Sequence, residues 1–226
     1  MQRKIITTAD GSKTIQIEGW NEQYHSVHGA IQEANHVYLK HGLLFFISEF
    51  YAPSESPKIS ILEIGFGTGL NAVLTLLNSE PLKVKINYVG VEAYPVSSEE
   101  LKQLNYTEAL QLDEHLFERF HASDWELPFS ITEHFQLTKQ KKFFADIDDT
   151  NCFDIIYFDA FGARVQPELW TEQLFKNMYK ALKQNGVLVT YACKGSVKRA
   201  LKSVGFHIER LEGPPGKRHM LRAIKR

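Results

Sequence analysis

Residues 59–77, Ile-Ser-Ile-Leu-Glu-Ile-Gly-Phe-Gly-Thr-Gly-Leu-Asn-Ala-Val-Leu-Thr-Leu-Leu, decide how the chain reads. Ile59, Ile61, Leu62 and Ile64 form a short apolar run of the kind that makes a buried strand. Gly65, Gly67 and Gly69 then alternate with Phe66 and Thr68. Glycine takes positive φ and lets a ligand come close to the backbone. The apolar helix that follows offers unpaired N–H groups and a partial positive charge at its first turn. Strand, glycine turn and helix in that order form the first unit of an α/β sheet with a ligand at the turn.

The dinucleotide fingerprint spaces its glycines G-x-G-x-x-G/A. After Gly65 and Gly67 the third slot falls on Leu70, so that pattern fails. The spacing Glu63-x-Gly65-x-Gly67-x-Gly69 instead resembles the first motif of the class I S-adenosylmethionine (SAM) methyltransferases. Residues 84–91 (VKINYVGV) read as the second strand, ending in Glu92, 27 positions after Gly65. Ligands of doubly wound sheets bind beyond the carboxyl ends of the strands. An acid at Glu92 is placed to accept from both ribose hydroxyls. Phe135 to Phe144 reads as the third strand. Asp146 just beyond it is the candidate for the adenine amine, with Asp124, Asp148 and Asp149 as rivals.

Phe153 to Phe158 (FDIIYF) reads as the central fourth strand and runs into Asp159-Ala160-Phe161-Gly162. Pro167 opens a helix over 168–182, at a position where its missing N–H is harmless. Val187 to Tyr191 is the fifth strand and Gly195 to Val204 a helix. Phe206 to Leu211 and His219 to Ile224 are a closing antiparallel pair joined by Gly213-Pro214-Pro215-Gly216-Lys217-Arg218. Upstream of the glycine turn, Asp10-Gly11 between two short apolar runs signals a hairpin. Helical stretches follow at Ile31–Lys40 and His41–Ala52, closed by Pro53 and Pro57. Alternation of strand and helix implies a parallel sheet covered on both faces. The expected fold is α/β: a Rossmann-like class I methyltransferase with a seven-stranded, mostly parallel sheet and an antiparallel last strand. The expected division is an N-terminal extension, 1–52, packed on a methyltransferase domain, 53–226.

Composition excludes several classes. The 226 residues contain no apolar run long enough to span a bilayer, and the first residues lack the apolar core of a signal peptide. Cys152 and Cys193 are far apart without metal-ligand spacing, which predicts buried free thiols, no metal site and a cytoplasmic protein. Net charge is −1, yet residues 194–226 hold ten Lys/Arg against two acids, which leaves −9 on residues 1–193. Such asymmetry is the footprint of a polyanionic partner or of a solvated basic face.

A narrower resemblance rests on several segments together. They are Gly65-Phe66-Gly67-Thr68-Gly69-Leu70-Asn71, Phe158-Asp159-Ala160-Phe161, Pro167-Glu168-Leu169-Trp170-Thr171 with Leu174-Phe175, and Gly213 with Gly216-Lys217-Arg218-His219-Met220-Leu221. With Tyr24-His25-Ser26, Gly29-Ala30 and Glu33 they resemble the MnmC-type tRNA methyltransferase domain from about Tyr24 to Leu221. Ala163 stands where members often carry Pro. The resemblance implies SAM as donor and, as acceptor, the 5-aminomethyl group of the wobble uridine (position 34) of tRNA, giving 5-methylaminomethyl-(2-thio)uridine. At this length it implies the stand-alone form, supplied with aminomethyl-uridine tRNA by a separate enzyme.

In that frame Asp159 orients the amine or takes its proton. The donor lies against Gly65, Gly67, Gly69, Asn71, Glu92 and Asp146. Glu63 either binds the donor's amino group or anchors the glycine loop. Tyr24 and Ser26 belong to a segment that is either a substrate lid or a packed loop. Phe161 and Trp170 are candidates to stack on the uridine. Lys217 and Arg218 are candidate phosphate or base contacts, extended by Lys194, Lys198 and Arg199. Three other readings compete. An NAD(P)-dependent oxidoreductase is disfavoured by Leu70, and a noncatalytic RNA-binding module by the intact acids. A small-molecule amine N-methyltransferase is disfavoured by the basic C-terminal third.

Overall fold

A computed structural model describes residues 2–52 and 54–226. Pro53, expected to close the second helix, lies outside the described residues. The chain opens with β1 (Arg3–Thr7) and β2 (Lys13–Ile17), paired antiparallel with Ile5 opposite Ile15. The expected hairpin therefore forms. Asp10 caps its turn by accepting from the Thr8 hydroxyl (2.7 Å) and the Ser12 amide (3.1 Å). A two-residue strand, β3 (Glu22–Gln23), adds to β2.

Helix α1 (residues 30–50) follows. The two helical stretches expected here are continuous, and the middle, Asn35–Leu44, is π-wound. The core alternates β4 (Lys58–Ile64), α2 (Leu70–Ser79) and β5 (Lys85–Val91). Three short helices come next: α3 (Ser98–Leu101), α4 (Tyr106–Ala109) and α5 (Glu114–Ala122). The apolar periodicity over 106–120 reads as one helix, but Gln111 adopts φ +50° and Asp113 starts a new helix by capping the Leu116 amide at 2.9 Å. Strands β6 (Phe129–Thr132), β7 (Phe135–Gln140) and β8 (Phe153–Phe158) lead to α6 (Glu172–Ala181). Then come β9 (Leu182–Thr190), α7 (Gly195–Ser203), β10 (His207–Glu212) and β11 (His219–Ile224).

Among the described residues the main sheet has eight strands in the order β10-β11-β9-β8-β4-β5-β7-β6. Strands β9, β8, β4, β5 and β7 are parallel, and β11 is antiparallel to both neighbours. The expected count of seven is corrected by β6, which forms an antiparallel hairpin with β7 and a bulge at Ser130–Thr132. Its run of four residues is too short to stand out from the preceding loop. β7 ends at Gln140, and Phe144–Asp146 is a 3-10 turn rather than strand. The expected helix over 168–182 divides into a 3-10 turn, Pro167–Trp170, and α6, whose first turn is capped by the Thr171 hydroxyl.

Each strand face packs against helices. Ile59, Ile61, Ile86, Tyr88, Ile155, Tyr157, Val187 and Val189 meet α1 and α2. Leu62, Ile64, Ile156, Phe158 and Leu188 meet α6 and α7 on the other face. Full burial of one such side chain is worth about 1.5–3 kcal/mol, so α1, with Val37, Tyr38 and Leu43 buried, belongs to the stabilising core. Cys152 is exposed and Cys193 half-buried, so the expectation of buried thiols does not hold for Cys152. Among the described residues no helix is long and apolar enough to cross a membrane.

Candidate active site at the switch point

Strand order reverses between β4 and β8. That is where a doubly wound sheet opens a crevice at its carboxyl edge. Gly65 follows β4 and Asp159 follows β8, and the Asp159 amide donates to Ile64 O at 2.9 Å. The glycine turn is clamped to the next strand: the Gly65 and Phe66 amides both donate to Val91 O at 3.0 Å. Gly65, Gly67 and Gly69 have φ of +88°, +50° and +77°. Close approach also requires them. A Cβ on Gly65 would sit 2.7 Å from Asp159 O, and one on Gly67 2.9 Å from the Tyr24 ring.

Above the turn lies a cavity of about 1020 Å³, lined by Gly65, Gly67, Glu92, Tyr94, Phe143 and Asp159 among others. Glu92 Oε2 accepts from the Gly67 amide (3.1 Å) and Oε1 from the Tyr94 amide (2.9 Å). A carboxylate has about four acceptor positions, so two remain for the vicinal hydroxyls of a ribose. Glu100, Glu168 and Asp159 line the same space. Its arginine, Arg3, is already paired with Glu100 at 3.0 Å. An acid-rich lining suits a cationic, hydroxyl-bearing donor such as SAM and opposes a pyrophosphate. The residues therefore fit SAM and disfavour a dinucleotide. Asp146, the expected adenine contact, is exposed, and its neighbour Ala145 lines the cavity. The end of the expected third strand is a 3-10 turn, Phe144–Asp146.

Glu63 and Asn71 lie beneath the cavity. Both are fully buried. Asn71 Nδ2 donates to Glu63 Oε1 (2.8 Å) and to Asp159 Oδ2 (2.9 Å), while Glu63 Oε2 accepts from the Tyr88 hydroxyl (2.9 Å). Of the two readings left open for Glu63, the internal one matches this placement, although what it anchors is Asn71. One amide thus spans two carboxylates and orients Asp159. Burial holds the Glu63 carboxyl well above its usual range. Burial also pushes Asp159 up to about 6, against the opposing pull of the Asn71 hydrogen bond and the Lys217 charge. An aspartate there is a far better proton acceptor near neutrality than an ordinary one of about 4.

Asp159 also faces a second cavity, of about 420 Å³, lined by Tyr24, Ser26, Glu33, Phe161, Tyr191 and Lys217 among others. Tyr24 and Phe161 meet edge to face at 5.1 Å between centroids, and Trp20 meets Phe161 at 5.8 Å. Trp170 is buried against Phe158 (5.0 Å), and its Nε1 donates to Phe161 O at 2.8 Å. It secures the loop after Asp159 from the core side. Ser26 is buried in a turn, its amide donating to Glu33 Oε2 at 3.0 Å.

The loop between β10 and β11 reaches the site because β11 runs antiparallel, which brings the start of that strand to the carboxyl edge of its parallel neighbours. Lys217 is drawn inward. Its Nζ pairs with Glu33 and sits 3.9 Å from the centre of the Tyr191 ring. Arg218 is exposed. Sequence reasoning did not single out Tyr191, whose hydroxyl donates to Ala160 O at 2.8 Å. Its place one residue past β9 was a usable signal. It also missed Arg164, which binds Glu22 at 2.8 Å and the carbonyls of Trp20 and Asn21, tying the loop after Asp159 to the N-terminal segment. No sequence pattern marks that contact.

Comparison with known proteins agrees with this geometry. Residues 131–226 match a family described as S-adenosyl-L-methionine-dependent methyltransferase. The chain is 27% identical over 214 residues to the tRNA 5-methylaminomethyl-2-thiouridine biosynthesis bifunctional protein MnmC of Methylobacillus flagellatus, covering 89% of this chain and 32% of that protein. It is 26% identical over 212 residues to the protein of that name in Hydrogenovibrio crunogenus, covering 89% and 31%. The chain thus spans about a third of the length of these relatives. The crystal structure of MnmC2 from Aquifex aeolicus superposes with a TM-score of 0.78 at 22% identity, over 100% of this chain and 70% of that one. A probable spermidine synthase from Corynebacterium glutamicum gives 0.57 at 17% identity, over 99% and 76%. These structures establish the class I methyltransferase fold.

Proposed function

We propose that this chain, similar in sequence and fold to MnmC-type methyltransferase domains, transfers a methyl group from SAM to the 5-aminomethyl nitrogen of the wobble uridine of tRNA. One observation carries the reading: Asp159 lines both the glycine-turn cavity and the second cavity. A donor and an amine can each reach it from its own side.

The glycine turn and Glu92 would hold the donor, which supplies an electrophilic methyl group when bound. Asp159 binds the incoming ammonium through a charge-assisted hydrogen bond. It then accepts one N–H proton, which leaves the nitrogen lone pair free. Asn71 fixes the direction of that carboxylate from below. Tyr24 and Phe161 flank the acceptor side and exclude water. Holding two reactants in line is worth roughly 7–11 kcal/mol, the largest part of the task. In this reading residues 53–226 are the methyltransferase domain and residues 1–52 an extension built into its core. The substrate implies a cytoplasmic enzyme that receives aminomethyl-uridine tRNA from another enzyme.

The test is incubation of the chain with SAM and aminomethyl-uridine tRNA, followed by mass spectrometry of the nucleosides. The expected result is a gain of one methyl on that nucleoside. An unchanged nucleoside, with SAM binding shown by calorimetry, would overturn the acceptor assignment. Binding of NADH in place of SAM would overturn the class.

A further inference from the structure

We propose that Arg3, from the N-terminal hairpin, is a positioning residue for donor binding: it holds the loop after β5 and so aims the Glu92 carboxylate at the ribose of SAM. The proposal rests on the reading of the glycine-turn cavity as the donor site. That loop has little else to hold it. Its last strand bond runs from the Glu92 amide to Gln140 O at 3.0 Å, and the next backbone bond runs from the Leu101 amide to Ser97 O. Among the described residues, Ala93 to Val96 take part in no backbone–backbone hydrogen bond, and Pro95 has no N–H to offer.

Arg3 supplies what the backbone does not. One guanidinium nitrogen donates to Tyr94 O at 3.1 Å and the other to Glu100 Oε2 at 3.0 Å. Glu100 Oε2 also accepts from the Ser97 amide at 2.9 Å, and the Ser97 hydroxyl accepts from the Glu100 amide at 3.3 Å, which forms the capping box of α3. The arginine therefore grips the middle of the loop and its far end together. A planar fork can do this and a single ammonium cannot. An isolated surface ion pair contributes little. This one differs, because its two side chains are only 19% and 22% exposed and the guanidinium has a second partner.

The contacts close into a ring around Glu92. Arg3 holds the Tyr94 carbonyl, and the Tyr94 amide donates to Glu92 Oε1 at 2.9 Å. The other oxygen, Oε2, accepts from the Gly67 amide at 3.1 Å. Gly67 lies so close to the Tyr24 ring that a Cβ would sit 2.9 Å from it. Arg3 completes the ring, 5.7 Å from the centre of Tyr24 in a cation–π contact. A carboxylate restrained at both oxygens keeps its remaining acceptor positions in a fixed direction. Anchoring of the hairpin is a separate task, which Asn105 performs at the turn. Its Oδ1 accepts from the Lys13 amide at 2.8 Å and its Nδ2 donates to Gly11 O at 3.0 Å. Loss of Arg3 therefore frees the Glu92 loop while the hairpin stays fastened.

The experiment is calorimetric titration of SAM into the native chain, Arg3→Met and Asn105→Ala. The expected result is a Kd about tenfold weaker in Arg3→Met alone. KM for SAM should rise in step, with kcat at saturating SAM within about twofold of the native value. Unchanged affinity in Arg3→Met overturns the proposal. An equal loss in Asn105→Ala overturns it too, since Arg3 would then only anchor the hairpin. Arg3→Lys keeps the charge without the fork and should recover only part of the affinity; full recovery overturns the bridging role. Hydrogen exchange of the Tyr94 amide reads the same contact without ligand. It should be about tenfold faster in Arg3→Met and native-like in Asn105→Ala, and an unchanged rate in Arg3→Met overturns the role. If the native chain binds no SAM, the donor reading fails while exchange still decides whether Arg3 holds the Glu92 loop.

Discussion

Asp159 combines a functional advantage with an energetic cost. Its carboxyl is raised by burial to about 6, above its unfolded value near 4. For such a group the charged state is penalised in the fold. The penalty is absent below the unfolded value and complete above the folded one. Asp159→Asn should therefore stabilise the protein by on the order of 2 kcal/mol at neutral pH, with the gain vanishing near pH 4. Thermal melts across that range check it. The same substitution should lower methyl transfer by about 10²–10⁴-fold and leave SAM affinity nearly unchanged, since Glu92 and the glycine turn remain. A second prediction concerns Lys217 and Glu33, which pair across 184 positions of sequence. Removing one partner of a mostly buried pair strands the other. Lys217→Met should destabilise by about 1–3 kcal/mol, and adding Glu33→Gln should restore most of the loss. Denaturant midpoints of the four proteins in the cycle measure this. Equal costs in the single and double variants would instead leave Lys217 as a solvated cation.

The glycine turn separates two effects that a glycine can have. Gly65 combines φ +88° with a neighbour that a Cβ would meet at 2.7 Å, whereas Gly11 has φ +84° and open space around it. Left-handed backbone alone costs a non-glycine residue about 1–3 kcal/mol. Gly11→Ala should lose about that much stability and bind SAM normally. Gly65→Ala should lose more, and with it the binding, because the new methyl pushes on the carbonyl of Asp159. Calorimetric titration with SAM distinguishes them, and equal affinities in the two variants would refute the close-approach argument. Elements of this kind were legible from sequence because local pattern determines them. Apolar runs located β4, β5, β8 and β9, and glycine spacing located the turn. Elements whose ends depend on single capping or left-handed residues were not. Asp113 restarts a helix inside a continuous apolar period, and Phe144–Asp146 forms a 3-10 turn at the end of the expected third strand.

At the scale of the whole molecule, what escaped the sequence is contact between distant segments. Tyr38 meets Tyr157 only because a helix ahead of the core covers β8. Lys217 reaches Glu33 only because an antiparallel strand reverses the chain at the sheet's edge. Charge asymmetry was legible as a count but not as a map. Of the ten basic residues after position 193, Lys217, Arg222 and Lys225 are tied into the fold, by Glu33, by Glu209 and Phe45, and by Asn151 and the Leu182 carbonyl. Lys194 is exposed and lines the second cavity, and Arg218 is exposed beside Lys217. Lys225 lies past the end of β11, at the edge of the sheet away from Asp159, because that strand runs against its neighbours. A phosphate backbone entering the acceptor cavity would therefore meet Lys194 and Arg218 and miss Lys225. Each phosphate contact releases counterions and steepens the fall of affinity with salt by about 0.7–0.9 in the logarithmic slope. Lys194→Ala and Arg218→Ala should each flatten the slope for tRNA by about that amount, and Lys225→Ala should leave it unchanged. Filter binding across a salt series decides it: equal slopes in all three variants would place the RNA on another face.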